Sequence, residues 1–283
     1  MTEQTSPNSN NLTLVIGGTG KTGRRVVKRL AARGVPTRVG SRSSERPFDW
    51  EKETTWDGAL ENVKAAYVTY FPDLAVPAAP EAIRAFSKLA VKKGVKRLVL
   101  LSGRGEEEAQ RCEGIVQDSG AEWTIVRASW FSQNFSEAFM LEPLLDGELA
   151  LPAGSVAEPF VDVEDIADVV VAALTEEAHA GQVFEVTGPR LLTFAEAVAE
   201  IAKATGRDLR YVEISTEQFS SHMEEHNVPQ EVIDLTTYLF DTVLDGRNSQ
   251  VTDGIQRALG RPPHDFAEYA RHTAATGIWN AAR

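Results

Sequence analysis

Short apolar, β-branched runs alternate with longer amphipathic stretches through the first two-thirds of the chain. Residues 12–17, 36–40, 65–70, 97–101, 123–126 and 183–186 read as strands. Val68, Val99, Leu100 and Ile125 lie in continuous apolar runs, the pattern of strands covered on both faces. Between them, residues 22–33, 80–93 and 105–118 have helical spacing and run toward Gly34, Gly94 and Gly120, which suit a left-handed C-cap. Repetition of strand, helix and strand predicts a parallel sheet with right-handed crossovers. In the last third, Asp165 is placed to N-cap residues 166–174 and Thr193 to N-cap residues 194–205. Beyond Val212 the pattern is mostly helical, with Pro229 opening one segment and Pro262-Pro263 interrupting near the end.

The first strand, LTLVI, meets a glycine-rich turn that carries two competing phosphate signatures. Gly20-Lys21-Thr22 suggests a P-loop, whereas Gly17, Gly20 and Gly23 suggest a dinucleotide turn. A P-loop needs a glycine five residues before the glycine of its GK[ST], so that backbone N–H groups wrap the phosphates. Val15 stands there, inside the strand, and the P-loop fails. The dinucleotide turn survives: its first glycine permits the bend, the second admits a pyrophosphate, and the third lets helix pack on strand. The anion then sits on the helix N-terminus. Gly17, Gly18, Thr19, Gly20, Lys21, Thr22 and Gly23 are therefore candidate cofactor residues.

An acid some 20 residues further on would read the ribose of NAD. Here the second strand ends in Gly40-Ser41-Arg42-Ser43-Ser44-Glu45-Arg46. An arginine flanked by serines suits a 2′-phosphate, so Ser41, Arg42 and Ser43 favour NADPH/NADP+ over NADH. Glu45 is the competing ribose partner should the strand run longer. Thr69, Tyr70 and Phe71 close the strand 65–70 and would line the cofactor groove, since ligands bind beyond the carboxyl ends of such strands. For the two aromatics, plain core packing is the alternative. Ser102 ends the strand 97–101 and is expected near the nicotinamide ribose, and Asp49 near the adenine.

The expected architecture is thus α/β, a Rossmann-like doubly wound parallel sheet with a smaller, mostly helical C-terminal substrate-covering part. Residues 1–11 read as a disordered tail, 12–190 as the NAD(P)-binding core with 144–160 as a substrate-side excursion, and 191–283 as the covering part. A formal net charge of -12 argues against binding nucleic acid or an anionic membrane. A lone cysteine, Cys112, excludes a disulfide framework within the chain. The N-terminus has no apolar core of a signal peptide, no apolar run approaches a membrane span, and a cytoplasmic location is expected. The expected partners are a small-molecule substrate and, at most, a second copy in a homodimer.

Reductases with this turn commonly carry Tyr-x-x-x-Lys, whose tyrosine protonates the developing alkoxide. Four residues beyond Tyr67, Tyr70, Tyr211, Tyr238 and Tyr269 stand Phe71, Leu74, Ser215, Thr242 and Thr273, so the pair is missing. Two explanations stand. The substrate needs little protonation, as an iminium carbon already bears positive charge and positioning alone suffices, with quinones and enones intermediate because an oxyanion must be stabilised. Otherwise the protein binds cofactor without turnover. Catalytic residues are therefore left unassigned. Trp130, Phe131, Phe135, Phe139 and Met140 form an apolar cluster that lines a substrate pocket or packs as core. His222 and His226 are helical neighbours without a third ligand, read as surface residues rather than a metal site.

GGTGKTG, the arginine after the second strand, VKRLVLLSG, EGIVQDSGAEWTIVRASWFSQNF and PFVDVEDIADV together resemble the NmrA-like branch of atypical short-chain dehydrogenases over nearly the whole chain beyond the tail. The ending LGRPPHDFAEYARHTAATGIW resembles bacterial relatives of the ergot-alkaloid reductase and cyclase group. The resemblance implies NADPH-dependent reduction of an iminium, enone or quinone-type substrate, or, as in other members, a non-catalytic redox sensor. It matches the family's Phe-x-x-Asn with Phe131 and Asn134, which with Trp130 and Tyr238 are the candidate substrate residues. The lysine often seen on the helix after the strand 97–101 is replaced near Ala109.

Overall fold

The computed structural model describes residues 11–280, and the expected tail lies outside them save for residue 11. In chain order the elements begin β1 (Leu12–Ile16), α1 (Lys21–Ala32), β2 (Thr37–Gly40), α2 (Trp56–Ala59), β3 (Val63–Val68), α3 (Ala79–Lys92), β4 (Arg97–Gly103), α4 (Glu107–Gln117) and β5 (Glu122–Ala128). They continue with α5 (Asn134–Glu137), α6 (Leu141–Asp146), β6 (Glu148–Leu151), β7 (Ala157–Glu158), α7 (Val163–Thr175), β8 (Gln182–Val186), β9 (Leu192–Thr193), α8 (Phe194–Thr205) and β10 (Arg210–Glu213). The remainder is helical: α9 (Thr216–Glu225), α10 (Gln230–Tyr238), α11 (Gly254–Leu259) and α12 (Phe266–Ala275).

Six strands form one parallel sheet in the order β2-β1-β3-β4-β5-β8. The chain steps from β1 to β2 on one side and to β3 on the other, so the switch point for ligand binding lies at the carboxyl ends of β1 and β3. The chain divides into two compact units. One holds the described residues up to Gly103, with Glu107–Arg127 and Ile166–Phe184; the other holds Arg104–Glu106, Ala128–Asp165 and the described residues from Glu185 onward. In the first, Leu14, Val68, Leu98 and Leu100 of the sheet bury against Ile83 and Phe86 of α3 and Val116 of α4. The intervening Val15, Tyr67 and Val99 are fully buried as well, and that two-sided burial is why these strands read as unbroken apolar runs.

The strands predicted from sequence lie within two residues of those observed. Two helix starts need correction. Gly105 has φ of +75° and cannot open a helix, so α4 begins at Glu107. Asp165 is not an N-cap: α7 begins at Val163, and the Asp162 carboxylate accepts the Glu164 N–H at 2.9 Å. The fully buried Asp165 instead accepts the His264 N–H at 2.7 Å and pairs with Arg261 at 2.7 Å. Thr193 does cap α8: its hydroxyl accepts the Glu196 N–H, and the Glu196 carboxylate accepts the Thr193 N–H. Thr193→Ala is expected to lower stability by about 1 kcal/mol in equilibrium urea unfolding.

Candidate functional site

The glycine turn is built tightly enough to explain its composition. Gly17 has φ of +66°, and a Cβ there would stand 2.5 Å from the Thr69 hydroxyl. A Cβ on Gly23 would come 2.1 Å from the Gly17 carbonyl oxygen, and one on Gly18 would come 2.9 Å from Val39. These two glycines let α1 pack on the sheet. Gly20 is different: it is exposed, and a Cβ there would meet only the Gly17 carbonyl. Helix α1 starts with Gly20 as N-cap, has no side-chain cap and has no acid in its first turn. The positive end of the helix dipole is left to an incoming anion. Val15 is wholly buried in β1, which is incompatible with a phosphate loop at that position. Gly23→Ala is expected to cost about 3 kcal/mol by overpacking against backbone that cannot yield, read as a lower thermal midpoint.

The neighbouring strand end is hydrogen-bonded to this turn, Gly17 N–H to Gly40 C=O at 2.9 Å. Beyond it the chain folds back, with the Ser44 hydroxyl donating to the Ser41 carbonyl at 2.8 Å and the Phe48 N–H to the same carbonyl at 2.9 Å. Arg42 and Ser43 are exposed on this loop, and the Ser41 and Ser43 hydroxyls lie 3.5 Å apart. The nearby arginines are occupied: Arg46 pairs with Glu61, and Arg38 donates to the Ala59 and Glu61 carbonyls at 2.7 Å. Arg42 has no such partner among the described residues.

The end of β3 meets the same turn. The Thr69 hydroxyl donates to the Ile16 carbonyl at 3.1 Å, and its own carbonyl accepts Trp50 Nε1–H at 2.9 Å. Tyr70 is half-buried with its ring 4.9 Å from Trp50, whereas Phe71, ahead of a cis proline, is 71% exposed. Asp49 folds its carboxylate onto the Glu51 N–H at 3.1 Å, so part of its accepting capacity is used locally. Lys21 and Thr19 stand at the start of α1; Thr22 is buried, and its side chain meets the buried Tyr67 hydroxyl.

Ser102 is buried at the end of β4 and donates to Glu113 of α4 at 2.6 Å. Glu113 also takes a two-pronged contact from Arg127 of β5, with Nε donating to Oε1 at 2.8 Å. This charged knot joins three elements and was invisible to sequence reasoning, because its members lie 11 and 14 residues apart in different elements. Ala109, where the resemblance leads one to expect lysine, is fully buried. Cys112 is buried in α4, and burial pushes its thiol up to about 12. It is expected to resist a disulfide reagent in the native protein and to react on unfolding.

In the second unit, Trp130 packs edge-on to Phe194 at 5.5 Å and beside Phe240 at 5.3 Å. Phe135 and Met140 are core, whereas Phe139 is exposed. Phe131 is half-buried and bridges to Val161, Asn134 opens α5, and Tyr238 ends α10. A second group went unread in the sequence. Glu158 of β7 is fully buried and accepts the Ser129 hydroxyl at 3.0 Å through Oε2, while Oε1 has no hydrogen-bond partner. Burial pushes its carboxyl up to about 7, with Ser129 and Arg104 acting the other way. The signal was there: a lone acid in the otherwise apolar stretch Val156-Ala157-Glu158-Pro159-Phe160-Val161.

His222 and His226 are exposed, and the ring Nδ1 of His226 bonds the His222 carbonyl at 2.8 Å. No group of three metal-ligating side chains occurs among the described residues, and none of their helices is long and apolar enough to cross a membrane.

With this geometry in view, comparison with known proteins is specific. Residues 17–177 match the NAD(P)H-binding family model and residues 108–270 the NmrA-like family model. The chain is 31% identical to an NAD(P)H azoreductase of Xenophilus azovorans, covering 93% of this chain and 99% of that protein. It is 29% identical to an agroclavine dehydrogenase of Claviceps fusiformis, covering 90% and 95%. Its fold matches the Citrobacter sp. triphenylmethane reductase complexed with NADP(H), with a TM-score of 0.74 at 19% identity over 93% of this chain and 99% of that one. The protein is an NAD(P)H-binding oxidoreductase, and the chain belongs to the NmrA-like family.

Proposed function

We propose that the protein is an NADPH-dependent reductase that transfers hydride to a small organic acceptor of iminium, enone or quinone type, without a Tyr-x-x-x-Lys pair. The observation that carries this reading is the pairing of an uncapped α1 with an exposed, partnerless Arg42 one loop beyond the strand bonded to the same turn. The residues fit the cofactor: Gly20 is exposed at the start of α1, and a Cβ there would crowd the Gly17 carbonyl at 3.2 Å, so the turn is bare backbone where a pyrophosphate would lie. The backbone of residues 17–23 would hold that pyrophosphate, and Ser41, Arg42 and Ser43 the 2′-phosphate. Thr69, Tyr70, Phe71, Asp49 and Ser102 would flank the remainder. When bound, NADPH supplies the hydride. Trp130, Phe131, Asn134 and Tyr238 are the residues proposed to receive the acceptor.

The relatives support a small organic acceptor: one is named an NAD(P)H azoreductase and another an agroclavine dehydrogenase. Anaerobic stopped-flow loss of NADPH absorbance against iminium, enone and quinone panels tests the reading. At least one class is expected to turn over. Tight NADPH binding in calorimetry with no turnover of any panel would overturn it and leave a cofactor sensor.

A further inference from the structure

We propose that the basic face of α1, with the Arg42 loop, is an electrostatic guide for the dinucleotide: it sets how fast NADPH is captured and favours it over NADH before any contact forms. The inference rests on the cofactor placement proposed above and extends it from contact to approach. Residues 17–46 hold nine Lys or Arg and one acid, Glu45, in a chain whose formal net charge is -12. Arg29 pairs with Asp168 at 2.5 Å and Arg46 pairs with Glu61. With those two set aside, cations of the segment still outnumber its acid seven to one. At long range a chain of this net charge repels a polyanion, so capture is fast only where a local field of the opposite sign overcomes that repulsion.

The arrangement opposes the helix that carries it. Lys21, Arg24 and Arg25 stand within the first five residues of α1, where the dipole favours acids, and no acid occupies the first turn. Lys21 and Arg25, Arg24 and Lys28, and Arg25 and Arg29 are like-charged neighbours four apart, which repel along the helix surface. Packing accounts for one row only: Arg29 holds Asp168 of α7, and Arg33 Nη1 donates to the Thr175 hydroxyl of α7 at 3.3 Å. On the neighbouring row Arg24 and Lys28 are exposed. Local charge that breaks the rules of its own helix is expected at a functional surface, and a polyanion is what this one fits. NADPH suits it better than NADH, because the 2′-phosphate adds about 1.5 to 2 negative charges. Lys28 lies about 10 Å along the axis from the start of α1, so it acts on approach, whereas Arg42 acts in contact. Charges of the first kind change the association rate, those of the second the dissociation rate.

The test is stopped-flow binding of NADPH and NADH, read as energy transfer from tryptophan, between about 10 mM and about 1 M salt, where the screening length shrinks from about 30 Å to about 3 Å. The wild-type association rate is expected to fall about tenfold for NADPH and about threefold for NADH. At low salt Lys28→Glu should slow NADPH association about threefold, keep the dissociation rate within about 1.5-fold, and lose its effect at high salt. Lys88→Glu, the same change of net charge on an exposed residue of α3, is the control. It lies across the sheet: Tyr67 meets Thr22 of α1, while the next residue, Val68, packs with the α3 side. It should leave association within about 1.5-fold. Lys28→Gln, expected to lose about half as much on a logarithmic scale, carries the comparison if the charge reversal does not fold by circular dichroism. Association that ignores salt, or equal losses in Lys28→Glu and Lys88→Glu, overturns the guide. Absence of NADPH binding in calorimetry instead overturns the cofactor placement, and the guide with it. Salt-dependent capture as described, without turnover of any acceptor, overturns the reductase reading alone.

Discussion

Arg127→Ala is expected to destabilise the protein by about 3 kcal/mol, a loss on the scale of breaking a buried ion pair from one side. Glu113 is 3% exposed and would keep only the Ser102 hydroxyl as partner. The penalty lies in the carboxylate left behind more than in the lost contact. Adding Glu113→Gln to the same chain removes that charge and is expected to recover much of the loss. Thermal and urea unfolding of both variants measure it. If the single variant unfolds like wild type, Glu113 must find another partner or water, and the knot is not what fixes β4, α4 and β5 together.

Arg42→Ala is expected to weaken NADPH binding about 30-fold, near 2 kcal/mol for charge-assisted hydrogen bonds to phosphate. NADH binding should stay within twofold, since its ribose carries no phosphate. The selectivity of the effect comes from the surroundings. Arg38 and Arg46 are already committed around Glu61, so neither substitutes for the missing guanidinium without breaking that arrangement. Glu45, the acid on the same loop, should then matter more in relative terms, and Glu45→Gln should leave NADPH affinity unaltered. Calorimetric titration with both dinucleotides decides it. Equal losses for NADPH and NADH would mean that Arg42 shapes the loop rather than reading the phosphate.

Much of the first unit was legible because its chemistry is local. Strands such as Arg97–Gly103 are buried on both faces, so apolar runs mark them directly. The glycine turn declares itself because Gly17, Gly18 and Gly23 are each demanded by a backbone angle or a close approach. Thr193 announces its helix because a capping box needs only residues three apart. Asp165 misled for the complementary reason. It looks like a cap, but Asp162 does the capping, and the carboxylate of Asp165 is claimed by Arg261 and His264 almost a hundred positions away. The short strands β6, β7, β9 and β10, of two to four residues, are too brief to show a period. Glu158 and the Glu113–Arg127 pair stayed hidden because a buried charge is recognised by its partners, which sequence order does not reveal.

The Ser102 hydroxyl has one proton, and the structure shows it committed to a carboxylate that cannot give one back. Toward any ligand this serine therefore offers lone pairs and nothing else. It cannot brace a negative oxygen by donating to it. It can only receive, and so it selects for hydroxyl or amide N–H on whatever docks against it. A ribose satisfies that demand, while a carbonyl placed there is turned away. With the cofactor placed as proposed, this strand end would read the polarity of hydrogen bonding rather than charge, and Ser102→Ala should loosen the cofactor without removing a catalytic acid.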